Sequence, residues 1–482
     1  FYVAGNSGGS GANTKLRHLI DYQGNFRWYG SDGTTERLHI TNGGQVRVMG
    51  TNSNDPLYVR GGTEGNASIR LDGGINGVDN SRIEAKFNLA LACNGDGNQS
   101  NRNIKFYNST TQMMNIDSDG DVQIGGNLKT NNITGRNLVI NGNFMIDQRN
   151  DGAELSITSN NKFSADRWTH NNDGFTYYKT QRRNDNSIQT TGEEYYLRIT
   201  VTTAVTLSGS TSQCIENNLE GYTVKQLNLG TVGAKQCTVS FWVRSSLTGT
   251  FGGALQNSAY NRCHPFSYTI SSANQWEYKT YTFSTTGFTT GSFLTNNAVG
   301  LRLVFSLGNG PGRQANPASG WSNQVKMGPT GETNLVATNG ATLDISSVQL
   351  EEGTQATKFE HRSYGEELSR CQRYFVSYGN TGHFHFGMGT AYSASALNIT
   401  VPLPVPMRGE PTVAKISNGS SEWLHAYVGA SGTISNPTPQ LGESGMSVYR
   451  VYVPSAGSGW TAGQSFWCQI RPDARLTFSA EL

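Results

Sequence analysis

The sequence predicts an all-β protein with one short linking helix, and three observations carry that prediction. Apolar and polar residues alternate through the longest hydrophobic segments, the period of a half-buried strand. Helical periodicity is absent between Asn137 and His361. Glycine fills 58 of 482 positions and, with Asn and Ser, punctuates the alternating runs as turns do between strands. Composition also narrows the class. Charged residues are 15% of the chain, against about 25% in ordinary soluble proteins. Aromatics are 10% and the net charge is +2, which argues against disorder. No run approaches the ~20 apolar residues of a membrane-spanning helix. A near-neutral balance without a long basic run disfavours a general nucleic-acid binder. What remains is a Gly/Ser/Thr/Asn-rich β protein of the kind found outside cells. The chain opens at Phe1 without an initiator Met or a signal-peptide pattern. We expect a fragment, or a mature form lacking its N-terminal part. Cys93, Cys214, Cys237, Cys263, Cys371 and Cys468 form no CxxC pair and are expected to be free thiols, consistent with assembly in a reducing cytosol.

Residues 1–135 carry an internal repeat. TTERLHITNGGQVRVMG (34–50) and TTQMMNIDSDGDVQIGG (110–126) each read as strand, turn, strand. PLYVRGG (56–62) and ASIRLDGG (67–74) read as further short strands. Each strand has only two or three apolar residues on one face, too thin a face for an independent core. Stacked repeats or neighbouring chains must cover it. Three chains intertwined about one axis would do so, as in a fibrous stalk, and a homotrimer is expected; the alternative is an ordinary small β-domain.

Residues 136–362 alternate clearly. In CTVSFWVRSS, Cys237, Val239, Phe241 and Val243 face one way and Thr238, Ser240, Trp242 and Arg244 the other. In VGLRLVFSLG, Val299, Leu301, Leu303, Phe305 and Leu307 share an apolar face. Many strands with polar turns predict a jelly-roll β-sandwich. Residues 363–375 predict the helix: Leu368, Cys371 and Phe375 recur at helical spacing, with Glu366 and Glu367 in the first turn. Strands return over 376–482, a β-rich tip domain. Pro402, Pro404 and Pro406 remove donors along one side of a strand, which predicts a sheet edge.

NLVINGNFMIDQR followed by FSADRW (163–168) resembles the opening of a sandwich domain of bacteriophage tail proteins, itself similar to carbohydrate-binding jelly rolls. DISSVQLEEGTQATKFEHRSYGEELSRCQRYF (344–375) resembles the junction between sandwich and tip in that family, and VPLPVPMRGEPTV a segment of its tip. The 34–50 repeat resembles the stalk repeats of tail fibres. The resemblance implies a homotrimeric tail fibre or receptor-binding protein. It would be held to other phage tail proteins through its N-terminal side, displayed on the virion tail outside the cell, and assembled in the host cytoplasm. Its implied ligand is a host-surface polysaccharide, lipopolysaccharide or capsule, bound during viral attachment without catalysis. The alternatives are a polysaccharide-depolymerising tailspike, or a structural virion fibre whose adhesin is another chain.

Sugar sites use aromatic faces as platforms beside a few polar groups. Trp460 in SAGSGWTAG leads, lacking apolar neighbours in sequence. Trp423 and Tyr427 in SSEWLHAY, then Tyr392 in GTAYSAS, follow. Trp242 beside Arg244 offers a second location, on the sandwich. Each of these aromatics also has a packing or trimer-contact reading. No motif points to an enzyme: Glu351/Glu352 and Glu366/Glu367 have structural explanations, and Cys263-His264 would diverge on a strand. No cofactor is expected, with two metal options. Asp117, Asp119 and Asp121 in IDSDGDV superficially suggest a calcium loop, though without the Gly and Glu that one needs. The resemblance adds a structural calcium near Asp344. In a trimer, His383 and His385 would bring six imidazoles to one axial transition metal; a polar sheet face or a sugar contact explains them equally.

Overall fold

The computed structural model describes residues 18–20, 25–29, 36–40, 46–48, 104–108, 111–116, 122–124 and 135–482, the last without 174–175, 285–289, 380–381, 418–422, 429, 435–437, 445–447, 455 and 457–458. The chain divides into two compact units, Phe1–Gln123 and Ile124–Leu482. In the first, both copies of the repeat form adjacent strands. Glu36–Ile40 pairs with Val46–Val48, Leu38 opposite Val48 and Ile40 opposite Val46. Thr111–Ile116 lies beside Val122–Ile124 in a three-stranded sheet. A single chain leaves their apolar side chains open: Met113 is 44% and Val122 55% exposed. PLYVRGG, ASIRLDGG, Cys93 and the three aspartates of IDSDGDV lie outside the described residues.

The second unit opens with a β-sandwich of two six-stranded antiparallel sheets. One centres on Ser212–Glu220 paired with Val299–Asn309, the other on Thr342–Glu352, paired with Cys237–Ser245 on one side and Tyr196–Val201 on the other. The chain crosses repeatedly between sheets, so neighbouring strands are distant in sequence, as in a jelly roll. Period-2 alternation explains the core. Cys237, Val239, Phe241 and Val243 are at most 1% exposed, and Leu301, Leu303, Phe305 and Leu307 are fully buried. The five described cysteines are buried free thiols; burial pushes Cys237 up to about 12.

NLVINGNF folds as a tight loop on this core. Asn141 takes a left-handed conformation, φ 58°, which Asn tolerates better than most residues. Its Nδ2 donates to Ile146 O and Asp166 O at 2.7 and 2.9 Å, and its Oδ1 accepts from Ile146 N at 2.9 Å. Gly142 follows where a Cβ would stand 2.1 Å from Val348 O, so only glycine lets the loop meet that strand.

Ser363 caps the helix Tyr364–Gln372 by accepting from Glu366 N. The helix ends before Phe375, which instead opens the strand Phe375–Tyr378. The tip has a three-stranded sheet, Phe375–Tyr378, Ala474–Ser479 and Thr412–Ser417. Its seven-stranded sheet runs Ala430–Ile434, Leu424–Val428, Ser465–Ile470, Phe384–Ser393, Ala396–Pro402, Val448–Val453, Gln440–Ser444. The prolines do not make a sheet edge. Ala396–Pro402 is paired on both sides, and Pro402 ends it, leaving Pro404 and Pro406 in the following loop, where no ladder donor is needed.

A buried ionic joint ties tip to sandwich. Arg149 pairs with Asp166 at 3.0 Å and Glu481 at 2.7 Å, and Arg167 also pairs with Glu481. The Arg149 and Arg167 guanidiniums lie 3.6 and 3.7 Å above the Phe375 and Tyr374 rings. Glu220 receives Arg373 Nε and Nη2 at 2.9 and 2.7 Å and the Tyr374 hydroxyl at 2.6 Å. Burial lifts the Asp166 carboxyl to about 6, against the pull of Arg149. The joint thus uses side chains from IDQR, FSADRW and CQRYF together.

Glu332 gives a pH prediction. Burial raises its carboxyl from 4.5 to about 7, although Asn309 and Ser306 hydrogen-bond to it. The folded chain therefore keeps a proton that the unfolded chain releases between these values. Stability should decline as pH rises through that window. Glu332→Gln should remove this share of the decline and raise the urea midpoint at pH 8 more than at pH 4.5. An equal shift at both pH values would reject the assignment.

Candidate functional site

An inner strand of the seven-stranded tip sheet, Ser465–Ile470, sorts its side chains by alternation. Phe466, Cys468 and Ile470 are buried in the tip core, while Trp467 is 44% exposed on the outer face. Cross-strand register then fixes its neighbours. Tyr427 stands opposite Trp467 on one side, and Met388 opposite it on the other. Gln469 has His425 and His385 in the same positions. Rings line up across the strands: Trp467 and Tyr427 stack at 4.2 Å and 15°, and His385 and Trp467 at 4.9 Å and 27°. Trp467 is thus enclosed between two rings from flanking strands and offers its edge rather than its faces.

A directed hydrogen-bond chain underlies the stack. Arg471 carries only donors, so His425 Nε2, 2.6 Å away, accepts. The His425 proton then sits on Nδ1 and is donated to the Tyr427 hydroxyl at 3.0 Å. That hydroxyl donates to Gln469 Oε1 at 2.9 Å, and Gln469 Nε2 donates to His385 Nε2 at 2.8 Å. Each polar group locks the next, holding the rings without a buried charge pair.

Along Phe384–Ser393 the outer face continues through Met388, 66% exposed, to Tyr392, 61% exposed. Four residue steps along the strand separate them, about 13 Å. Tyr392 meets Tyr452 edge-on at 5.8 Å and 89°. Its ring is the most open aromatic of this face among the described residues.

The sequence-derived site residues are placed differently. Tyr392 and Tyr427 share this outer face. Trp423 does not: it is fully buried in the tip core, so it cannot meet a ligand. Trp460 is no open loop platform. Its indole packs on Phe466 at 5.5 Å and donates to Ala456 O at 3.2 Å, and it is half-buried against the core. Trp242 lies on the sandwich, tilted against Tyr278 at 5.3 Å. Arg244 is held inward, with Nε 2.8 Å from Asp344 Oδ2 and the guanidinium 4.9 Å above Trp276. Arg198 grips the same carboxylate in bidentate fashion at 2.7 and 2.8 Å. Both oxygens of Asp344 are therefore engaged by two guanidiniums, which leaves the calcium option at this carboxylate without a free ligand. His383 is exposed, while His385 is engaged by Gln469 and Trp467. Among the described residues no three His, Cys, Asp or Glu side chains gather as a metal site. Trp467 escaped the sequence reading, although the alternation of QSFWCQI turns it outward.

The acidic pairs are structurally engaged. Glu351 accepts from Thr357 N and Oγ1, each at 2.7 Å. Glu352 pairs with Lys235, Glu366 with Arg370 and Glu367 with Arg362.

No protein-family model and no curated protein matches the chain. Among solved structures, the enzymatically active domain of bacteriophage CBA120 tailspike protein 4 aligns with 48% of this chain at 12% identity and a TM-score of 0.25, and the chain covers only 24% of that protein. The carbohydrate-binding module TmCBM61, in complex with beta-1,4-galactotriose, aligns with 45% of this chain and 99% of its own, at 13% identity and a TM-score of 0.23. The family 11 carbohydrate-binding module of the Clostridium thermocellum cellulase Lic26A-Cel5E aligns with 42% of this chain and 98% of its own, at 9% identity and a TM-score of 0.22.

Proposed function

We propose that this chain is the distal part of a phage tail fibre, a non-enzymatic adhesin that binds a host-surface glycan through the outer face of its tip sheet. The observation that carries the reading is the row formed by the Trp467 edge, Met388 and Tyr392 on a rigid, well-packed sheet. An open tyrosine ring accepts the apolar C–H face of a pyranose, and polar groups beside it orient the hydroxyls. A row about 13 Å long suits an extended saccharide better than a single ring. The motif resemblance of IDQR, FSADRW and CQRYF supports the phage setting, since those segments meet at the joint between sandwich and tip. The open apolar strands of the first unit support a trimeric stalk. Structural engagement of the acidic pairs supports binding without hydrolysis.

The test is direct. Purified protein is incubated with lipopolysaccharide and capsular polysaccharide from a panel of bacteria, with binding and reducing ends both measured. The expected result is saturable binding to one polysaccharide with no reducing ends released. Release of reducing ends would replace the adhesin by a depolymerase; failure to bind any host cell or polysaccharide would leave a structural fibre.

A further inference from the structure

We infer a second saccharide site, in the cleft where sandwich and tip meet. The cleft encloses roughly 340 Å³, within the range of small-molecule sites. The turn after NLVINGNF supplies Asp147, Gln148 and Asp151, the sandwich Arg182 and Tyr195, the helix start Tyr364, and the tip Ser377 and Arg475.

Three features point to a neutral, hydroxyl-rich ligand. Two carboxylates face two guanidiniums, so the lining has no net charge to attract an anion or a cation. Arg182 spends Nη1 on Met145 O at 3.0 Å, yet its Nε and Nη2 stand 3.7 and 3.8 Å from Asp147 and Asp151. Those separations exceed a hydrogen bond and leave the Arg182 Nε and Nη2 donors and the exposed Asp151 carboxylate for ligand hydroxyls, while Asp147 is held by Asn150 N and Gly152 N. The Ser377 hydroxyl is buried without a partner, a cost that a bound hydroxyl would offset. Aromatic wall is present as well: the Tyr195 ring carries the Arg182 guanidinium 4.9 Å away, and Tyr364 is 61% exposed. Two tyrosines on the lining, with hydrogen-bonding groups beside them, fit a pyranose. The volume admits one or two such units, a terminal or branch sugar rather than a long chain.

This site does not depend on the tip face, and the two fail separately. The test uses the full chain carrying Tyr392→Ala, so that the tip contribution is reduced. Glucose, galactose, mannose and N-acetylglucosamine are the probes, each followed by saturation-transfer difference NMR. At least one should receive saturation, and adding Tyr364→Ala should reduce that signal at least threefold. Because Tyr364 is exposed, this change should not disturb folding. Arg182→Gln in the same background should abolish the signal, with an unchanged melting profile checking that the sandwich is intact. No transfer to any of the four sugars, or transfer that survives both substitutions, overturns the proposal.

Discussion

Tyr392→Ala should weaken polysaccharide binding at least tenfold, about 1.4 kcal/mol, while barely moving the melting temperature. The ring is 61% exposed, so its removal opens no cavity, and surface changes of this kind stay within about 0.5 kcal/mol. Trp467→Ala should behave differently. Its indole is stacked against Tyr427 and His385, and such pairs are each worth about 0.5–1.5 kcal/mol, so stability and binding should fall together. Isothermal titration and thermal melts on the two purified variants separate the effects. If Tyr392→Ala binds as the parent does, the tyrosine is not a platform and the tip-face reading loses its main contact.

Glu481→Ala should destabilise the second unit by about 3–5 kcal/mol, the cost of stranding one partner of a buried ion pair. Arg167 is 2% exposed and would keep only the Asn218 carbonyl and the Tyr374 ring as company. Arg149 would retain Asp166, so the damage should centre on Arg167. Replacing both members, Arg167→Met with Glu481→Ala, should recover much of the loss, because no uncompensated charge remains. Urea unfolding of the parent, the single variant and the double variant reads this directly. A single variant within 1 kcal/mol of the parent would show that solvent reaches the joint.

Alternation made the sandwich legible, because a two-residue period names the buried face of each strand without knowledge of its partner. The strands around Phe241 and Leu303 could be read this way. Tertiary position was not legible. Trp423 follows Ser420, Ser421 and Glu422 in sequence, and only the folding of distant strands over it makes it core. Trp460 has no apolar sequence neighbours, yet Phe466 reaches it across a turn. Pro402 looked like an edge marker because sequence shows missing donors but not where a strand ends. Arg167 and Glu481 are 314 residues apart, so nothing local announces their pairing. Trp467 was readable in principle, since the same alternation that buries Phe466 and Cys468 exposes it.

The joint sets the rules for exchanging the C-terminal domain between related chains. A graft that begins at residue 376 would carry away Glu481 and the strand Ala474–Ser479, while leaving their counterparts Arg149, Arg167 and Phe375 behind on the donor. Each parent would then present half of an ionic lock to a stranger. The separable cassette instead begins ahead of Ser363 and brings the helix, Arg373 and Tyr374 with it. Even this cassette works only in a recipient with arginines equivalent to Arg149 and Arg167 and an acid equivalent to Glu220. Compatibility between a new C-terminal domain and an old sandwich is therefore decided by these few side chains, while the outer face of the seven-stranded sheet takes no part in the lock and can change without disturbing it.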